Sequence, residues 1–590
     1  MKSNSLLLFI KEITDEDRGI NPLISIFSVF QGFYPLINII VPKYILDELT
    51  GQSRVNFILF YILILGIGNF IFQIAIRICK NKLDIKYESI KFYSVMKLGN
   101  KAVEMSVEEI EKKSTLDMIE RGKDSTFNLE VLSQSISVIM ASIITFISSM
   151  FILLRSDWRL ILVVIICNLA TIPVFNIIKE LEVDNSKRGI PEERAFRYLT
   201  SVSLDFKFAK DLRLYGAREF FMNKAKTTMD KILDINHNYM TLSGFWSGVV
   251  KAIVQLQMII SFILLGIGLL TYQISIGSFT MLYGASNQLG ESFNNILRSF
   301  KDLITYSFNL DPYYEIINRK TLKEEVKFKK LSKNSSVLIE FKDISFKYPT
   351  SEDYVLKNLS FNIKPGETLA IVGKNGAGKT TIIKLLCRLY KPTSGKILLN
   401  GIDIWDIEEA EYRKELSVVF QDFKLIPGKI DENLLCKSEK FIDGSDRELL
   451  YEKLKETGID NWVSSLENKE KTFLTKIIDI NGMLPSGGQE QKLAISRALI
   501  RDGGIVILDE PTAALDPKSE EEVFENLIHL SKDKTSIFIS HRLSSTRISD
   551  RIIVLEKGNI IEEGTHKTLM EEEGLYSKMF NTQARQYIFE

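Results

Sequence analysis

The sequence predicts two domains of different fold class: an all-α membrane domain of six helices, then an α/β domain built around a phosphate-binding loop. Three observations carry this. Stretches free of any charged side chain fall at Leu23–Pro42, Asn56–Ile76, Val131–Leu154, Leu160–Ile178 and Ala252–Gly290, all in the first half of the 590 residues. Gly373-Lys-Asn-Gly-Ala-Gly-Lys-Thr380 has the spacing of a P-loop and stands between an apolar run and a helix-like one. Beyond it, strand-like and helix-like segments alternate, as in an α/β domain. A chain of this length exceeds one core. The expected division is 1–318 for the membrane domain, 319–335 for a Lys-rich polar linker and 336–590 for the second domain.

Each of the first four windows is about the ~20 residues that cross a bilayer, and the last is long enough for two crossings. Thr271–Ser278 supplies the polar and glycine residues at which it turns. The first domain is expected to be helical throughout, because lipid offers no partner to a free backbone group. Amides fall within the spans at Gln31, Asn38, Asn69, Gln73, Gln134, Asn168, Gln255, Gln257, Asn287 and Gln288. They either join helices or line a path. Glu291 is the lone acid, near the end of the sixth span, which argues against a proton relay and for an external energy source.

Cys79–Glu130 and Lys179–Thr241 are long and rich in Lys and Arg, whereas Ile45–Arg54 and Arg155–Arg159 are short. The positive-inside rule therefore places the long loops, the N-terminus and the P-loop half in the cytoplasm of a multi-pass protein of the cell membrane. Loops of that size imply helices that continue beyond the lipid and turn there. Ser114–Gly122 and Asp205–Gly216 are amphipathic runs ending in glycine, suited to touching the second domain. The apolar run within Met1–Lys11 is too short for a cleavable signal, so the first span is expected to act as an uncleaved anchor. Ser5–Ile13 is alternatively a helix lying along the interface. Cys79, Cys167, Cys387 and Cys436 show no metal or disulfide spacing. No cysteine precedes Cys79, so a built-in cysteine protease that trims cargo is not expected. Lys+Arg and Asp+Glu are both 75, which offers no argument for a nucleic-acid partner.

In the second domain, Gly373, Gly376 and Gly378 let the backbone wrap a polyphosphate, with Asn375 and Thr381 among the binding positions. Lys379 reaches the β/γ-phosphates, and the Thr380 hydroxyl suits Mg²⁺. Val418-Val-Phe-Gln421 reads as a strand ending in an amide, and Ser486-Gly-Gly-Gln489 as a helix entry that offers a second anion site. Ile505–Asp509 reads as a buried strand ending in two carboxylates. Asp509 suits Mg²⁺ through water, and Glu510 suits a general base on the attacking water. Ala513–Asp516 follows, and His541 ends the next strand, placed to contact a γ-phosphate.

With these motifs the chain resembles an ABC transporter half of the exporter type, a six-helix membrane domain fused to a P-loop NTPase cassette, over essentially its whole length. Walker A is Gly373–Thr380, the Q-loop Gln421, the signature Ser486–Gln489, Walker B Ile505–Asp509, the D-loop Ala513–Asp516 and the H-loop His541. The resemblance implies ATP and Mg²⁺ as cofactors. Tyr348 stacks on adenine, Gln421 and Thr380 hold Mg²⁺, Glu510 polarises water and His541 contacts the γ-phosphate. It also implies an obligatory second subunit, identical or different, whose nucleotide is completed by Ser486 and Gly488, with Gln489 and Asp516 as further nucleotide-binding positions. Ser114–Gly122 and Asp205–Gly216 resemble the family's coupling helices.

Three departures stand out. Pro485 replaces the usual Leu before the signature, and Gln491-Lys492 stands where an Arg is usual. Ile478-Asp-Ile-Asn-Gly482 replaces an acidic Gly-Glu-Arg-Gly. The expected function is ATP-driven export of a hydrophobic, amphipathic or peptide-like compound. Import through the same architecture, or a regulatory membrane ATPase, are the alternatives, and the complete catalytic motifs favour a cycling pump.

Overall fold

The computed structural model describes residues 4–126, 129–205, 208–271, 273–319, 337–349, 351–510, 534–539 and 543–588. The chain forms two bodies, one of Met1–Glu104 with Ser114–Arg319, the other of Met105–Lys113 with Lys320–Glu590.

Among its described residues the first body holds six long helices: Ile20–Thr50, Val55–Glu104, Leu129–Ser156, Trp158–Leu204, Arg218–Leu270 and Ile276–Asn309. The first five are long and apolar enough to cross a membrane, so the protein is multi-pass. Ile276–Asn309 does not reach that measure, because Ser, Asn and Gln interrupt its apolar residues. Val55–Glu104 has 50 residues, about 75 Å of helix against a hydrocarbon layer of about 30 Å, so it runs far past the lipid, as the loop lengths require.

Close approach fixes the bundle. A methyl at Gly32 would lie 2.7 Å from Ile144 Cβ, and the Thr145 hydroxyl donates to Gly32 O at 2.8 Å, so Ile20–Thr50 and Leu129–Ser156 meet nearly backbone to backbone. Five of the amides join helices, Asn38, Asn69, Gln73, Asn168 and Gln257, whereas Gln134 bonds Glu130 within its own helix. Asn38 and Asn69 exchange bonds at 3.0 Å, and Gln73 donates to the Tyr34 hydroxyl at 2.9 Å. Asn168 links Trp158–Leu204 to Arg218–Leu270 through Gln257 at 3.3 Å, and to Ile276–Asn309 through Asn294 at 3.0 Å. Glu291 is exposed. Asn4–Glu16 is a helix of its own that buries Phe9 and Ile13. Its Glu12 accepts bonds from Tyr313, Tyr314 and Lys97 at 2.7 to 2.8 Å.

Among its described residues the second body contains two sheets. An antiparallel one has the order β2 (Leu356–Ile363), β1 (Ile339–Phe346), β4 (Ser394–Leu399), β5 (Ile402–Asp403). β1 is bent by a bulge where Asp343 takes a φ of 51°. The other sheet has the order β10 (Asn559–Gly564), β9 (Arg551–Glu556), β3 (Thr368–Gly373), β8 (Thr535–Ile539), β7 (Ile505–Asp509), β6 (Leu416–Val419) and is parallel apart from β10. β7 and β8 are buried at every residue, as continuous apolar runs in a covered parallel sheet should be. Ile430, Leu434, Leu450, Leu454 and Leu493 form a separate helical core.

Met105–Lys113 belongs to this second body. Val107 packs against its main core, and the Tyr390 hydroxyl donates to Glu111. The first-loop segment that touches the cassette therefore lies just ahead of Ser114–Gly122, which stays with the membrane body.

Candidate functional site: a nucleotide-binding loop between parallel strands

β3 runs into the glycine loop, and the helix Lys379–Leu386 follows it. Gly376 and Gly378 hold φ of 80° and 108°, where a side chain is strained. Lys379 is 6% exposed, and its Nζ donates to the carbonyls of Gly373 at 2.8 Å and Lys374 at 3.2 Å. Burial lowers its pKa, while Glu510 and Asp509 oppose the fall. The ammonium is thus dehydrated and held at the mouth of the loop, where phosphate oxygens make stronger partners. Asn375 is exposed on the loop, and Thr380 and Thr381 occupy the first turn of the helix.

Asp509 ends β7 fully buried with the Thr380 hydroxyl beside it, and among the described residues neither carboxylate oxygen has a well-formed hydrogen bond. Burial raises its pKa to about 6, with Glu510 adding to the rise and Thr380 and Lys379 opposing it. An unsatisfied buried carboxylate is costly, and together with the Thr380 hydroxyl it is an oxygen-donor set that suits a hard divalent cation. Glu510 follows with a φ of 51°, pinned by its N–H donating to Ile539 O at 2.9 Å. Strain of this kind persists where the surrounding sheet fixes the backbone. Gln421 Nε2 donates to Glu510 Oε2 at 2.9 Å, so the structure brings the Q-loop amide to the acid.

Tyr348 is half-buried; its hydroxyl meets the Thr381 hydroxyl at 3.1 Å, and its ring lies edge-on to Phe346 and Tyr390. Ser486 is the exposed N-cap of the helix Gly487–Arg501. It exchanges a capping box with Gln489, at 2.8 Å from Ser486 N–H to Gln489 Oε1 and 3.4 Å from Gln489 N–H to Ser486 Oγ. Pro485 precedes this cap without disturbing it. Gly488 lies in the first turn, half-exposed. Asp516 and His541 lie outside the described residues. Tyr390 and Lys384, which hold Tyr348, carried no motif in the sequence; only their nearness to the P-loop helix marked them.

A parallel sheet with a glycine loop at the end of one strand and two acids at the end of another defines a nucleotide-binding cassette. Residues 356–513 match the family model described as ABC transporter. The chain is 28% identical over 565 residues to the subtilin transport ATP-binding protein SpaT of Bacillus subtilis, covering 94% of this chain and 90% of that protein. To the nisin transport ATP-binding protein NisT of Lactococcus lactis subsp. lactis it is 25% identical, over 94% and 92% of the two chains. Its fold is that of a bacterial Atm1-family ABC exporter solved with ATP bound, at a TM-score of 0.80 and 20% identity over 96% of this chain and 99% of that one. The chain carries the ABC transporter family's cassette at residues 356–513. It is a half-transporter, a helical membrane domain followed by one cassette, and its nucleotide hydrolysis is coupled to transport.

Proposed function

We propose that this chain is one subunit of a dimeric exporter that uses ATP to move a peptide-like or amphipathic compound out of the bacterial cytoplasm. The observation that carries the reading is the division of the site. Lys379, Gln421, Asp509 and Glu510 gather around the ends of the parallel strands, while Ser486 opens to solvent at a helix N-terminus, free to meet a nucleotide held by a partner. SpaT and NisT, matched over nearly their whole length, are named for transport of subtilin and nisin, which favours a peptide cargo and export.

In this reading Tyr348 takes the base, and the loop from Gly373 to Thr381 takes the phosphates. Glu510 draws the proton from the attacking water, with Gln421 holding its carboxylate. Mg²⁺ would be held by Thr380, Asp509 and Gln421, and would offset phosphate charge. Asp516 and His541 complete the set on the partner side and at the γ-phosphate. The N-terminus and the cassette face the cytoplasm. Inside-out vesicles carrying the protein should accumulate a nisin- or subtilin-type peptide when ATP is added, and Glu510→Gln should stop this. Uptake that ignores ATP, or uptake in right-side-out vesicles instead, refutes the reading.

A further inference from the structure

We propose that Tyr390 and Lys384 are positioning residues for the base platform Tyr348, and that Glu111 ties the seating of Met105–Lys113 to that platform. This rests on Tyr348 taking the base. Tyr390 is 2% exposed, and its ring meets that of Tyr348 at 5.3 Å and 85°, edge to face. Phe346 closes the group from its other side, at 5.0 Å from Tyr348 and 5.7 Å from Tyr390. The Lys384 ammonium lies over both rings, 5.5 Å from the centre of Tyr348 and 5.8 Å from that of Tyr390. Contacts of this kind fix the tilt of a ring more than they add affinity.

Two of these holders stand on the helix that begins at Lys379. Thr381, bonded to the Tyr348 hydroxyl at 3.1 Å, and Lys384 are three residues apart and share a face. The base side and the phosphate side are thereby joined through one short rigid element. Tyr390 has a second task, because its hydroxyl donates to Glu111 of the segment that packs Val107 into the same core. A shift of Tyr348 on taking a base is passed by ring contact to Tyr390, and by that hydroxyl to Met105–Lys113.

The test uses the full chain in detergent, titrated with ATP and with inorganic triphosphate, which has no base. Tyr390→Leu should weaken ATP about fivefold and leave triphosphate unchanged, whereas Tyr348→Ala should weaken ATP more and likewise spare triphosphate. Tyr390→Phe keeps the rings and loses the bond to Glu111. It should bind ATP within about twofold of the parent, yet lack the ATP-induced slowing of amide exchange in Met105–Lys113 expected of the parent. The proposal is overturned if Tyr390→Leu binds ATP normally while Tyr348→Ala does not, if it loses both ligands equally, or if Tyr390→Phe keeps the slowing. A normal ATP affinity in Tyr348→Ala overturns the base reading itself and this inference with it.

Discussion

At Gly373 there is no room for a methyl group, since an added Cβ would lie 2.3 Å from the carbonyl oxygen of Leu555. Gly373→Ala is expected to cost roughly 1 to 3 kcal/mol, read as a lower melting temperature without ligand. Lys379→Ala should abolish measurable ATP binding by titration, because it removes the dehydrated cation at the loop mouth. Asp509 sets a pH dependence. Its pKa is raised to about 6 from 3.8, so its protonated form favours the fold, and the ligand-free protein loses stability as pH rises through that interval. The loss is up to about 3 kcal/mol. Asp509→Asn should flatten the fall in melting temperature between about pH 4 and pH 7. The P-loop was legible in the sequence because its chemistry lies within eight consecutive residues. The Leu555 carbonyl that forbids a side chain was not, since β9 arrives from far along the chain.

Elements were legible to the degree that one environment dictated them. Charge-free windows marked six helices, but in the sixth, Ile276–Asn309, the polar residues serve neighbouring helices, so hydropathy alone describes it poorly. The Ser261 and Ser286 hydroxyls meet at 3.0 Å, and Gln257 donates to Ser286 O at 3.2 Å. Gly290 belongs to the same junction, because a Cβ there would lie 2.6 Å from Gln257 Oε1. Gly290→Ala should displace that amide and lower thermal stability by about 1 to 2 kcal/mol, and Gln257→Ala in the same chain should restore part of it. At the signature helix, Ser486→Ala removes an N-cap worth about 1 kcal/mol, whereas Ser486→Thr keeps it. Comparing the two by melting temperature and ATPase rate separates the cap from any contact with a partner's nucleotide.

For the whole molecule, the divided site predicts complementation. A chain with Lys379→Ala and another with Gly488→Asp should each be inactive alone. Co-expressed and co-purified, they should recover ATPase activity, since one of the two composite sites in the mixed dimer is intact. No recovery would mean that each chain completes its own site. The grouping of Met105–Lys113 with the cassette has a consequence for synthesis. The ribosome makes this stretch long before the strands that will seat Val107, so it must wait bare while the membrane helices insert. A cassette produced on its own begins without it and carries an empty apolar seat. Such a fragment should be sticky, and a short peptide of the Met105–Lys113 sequence added in trans should quieten it.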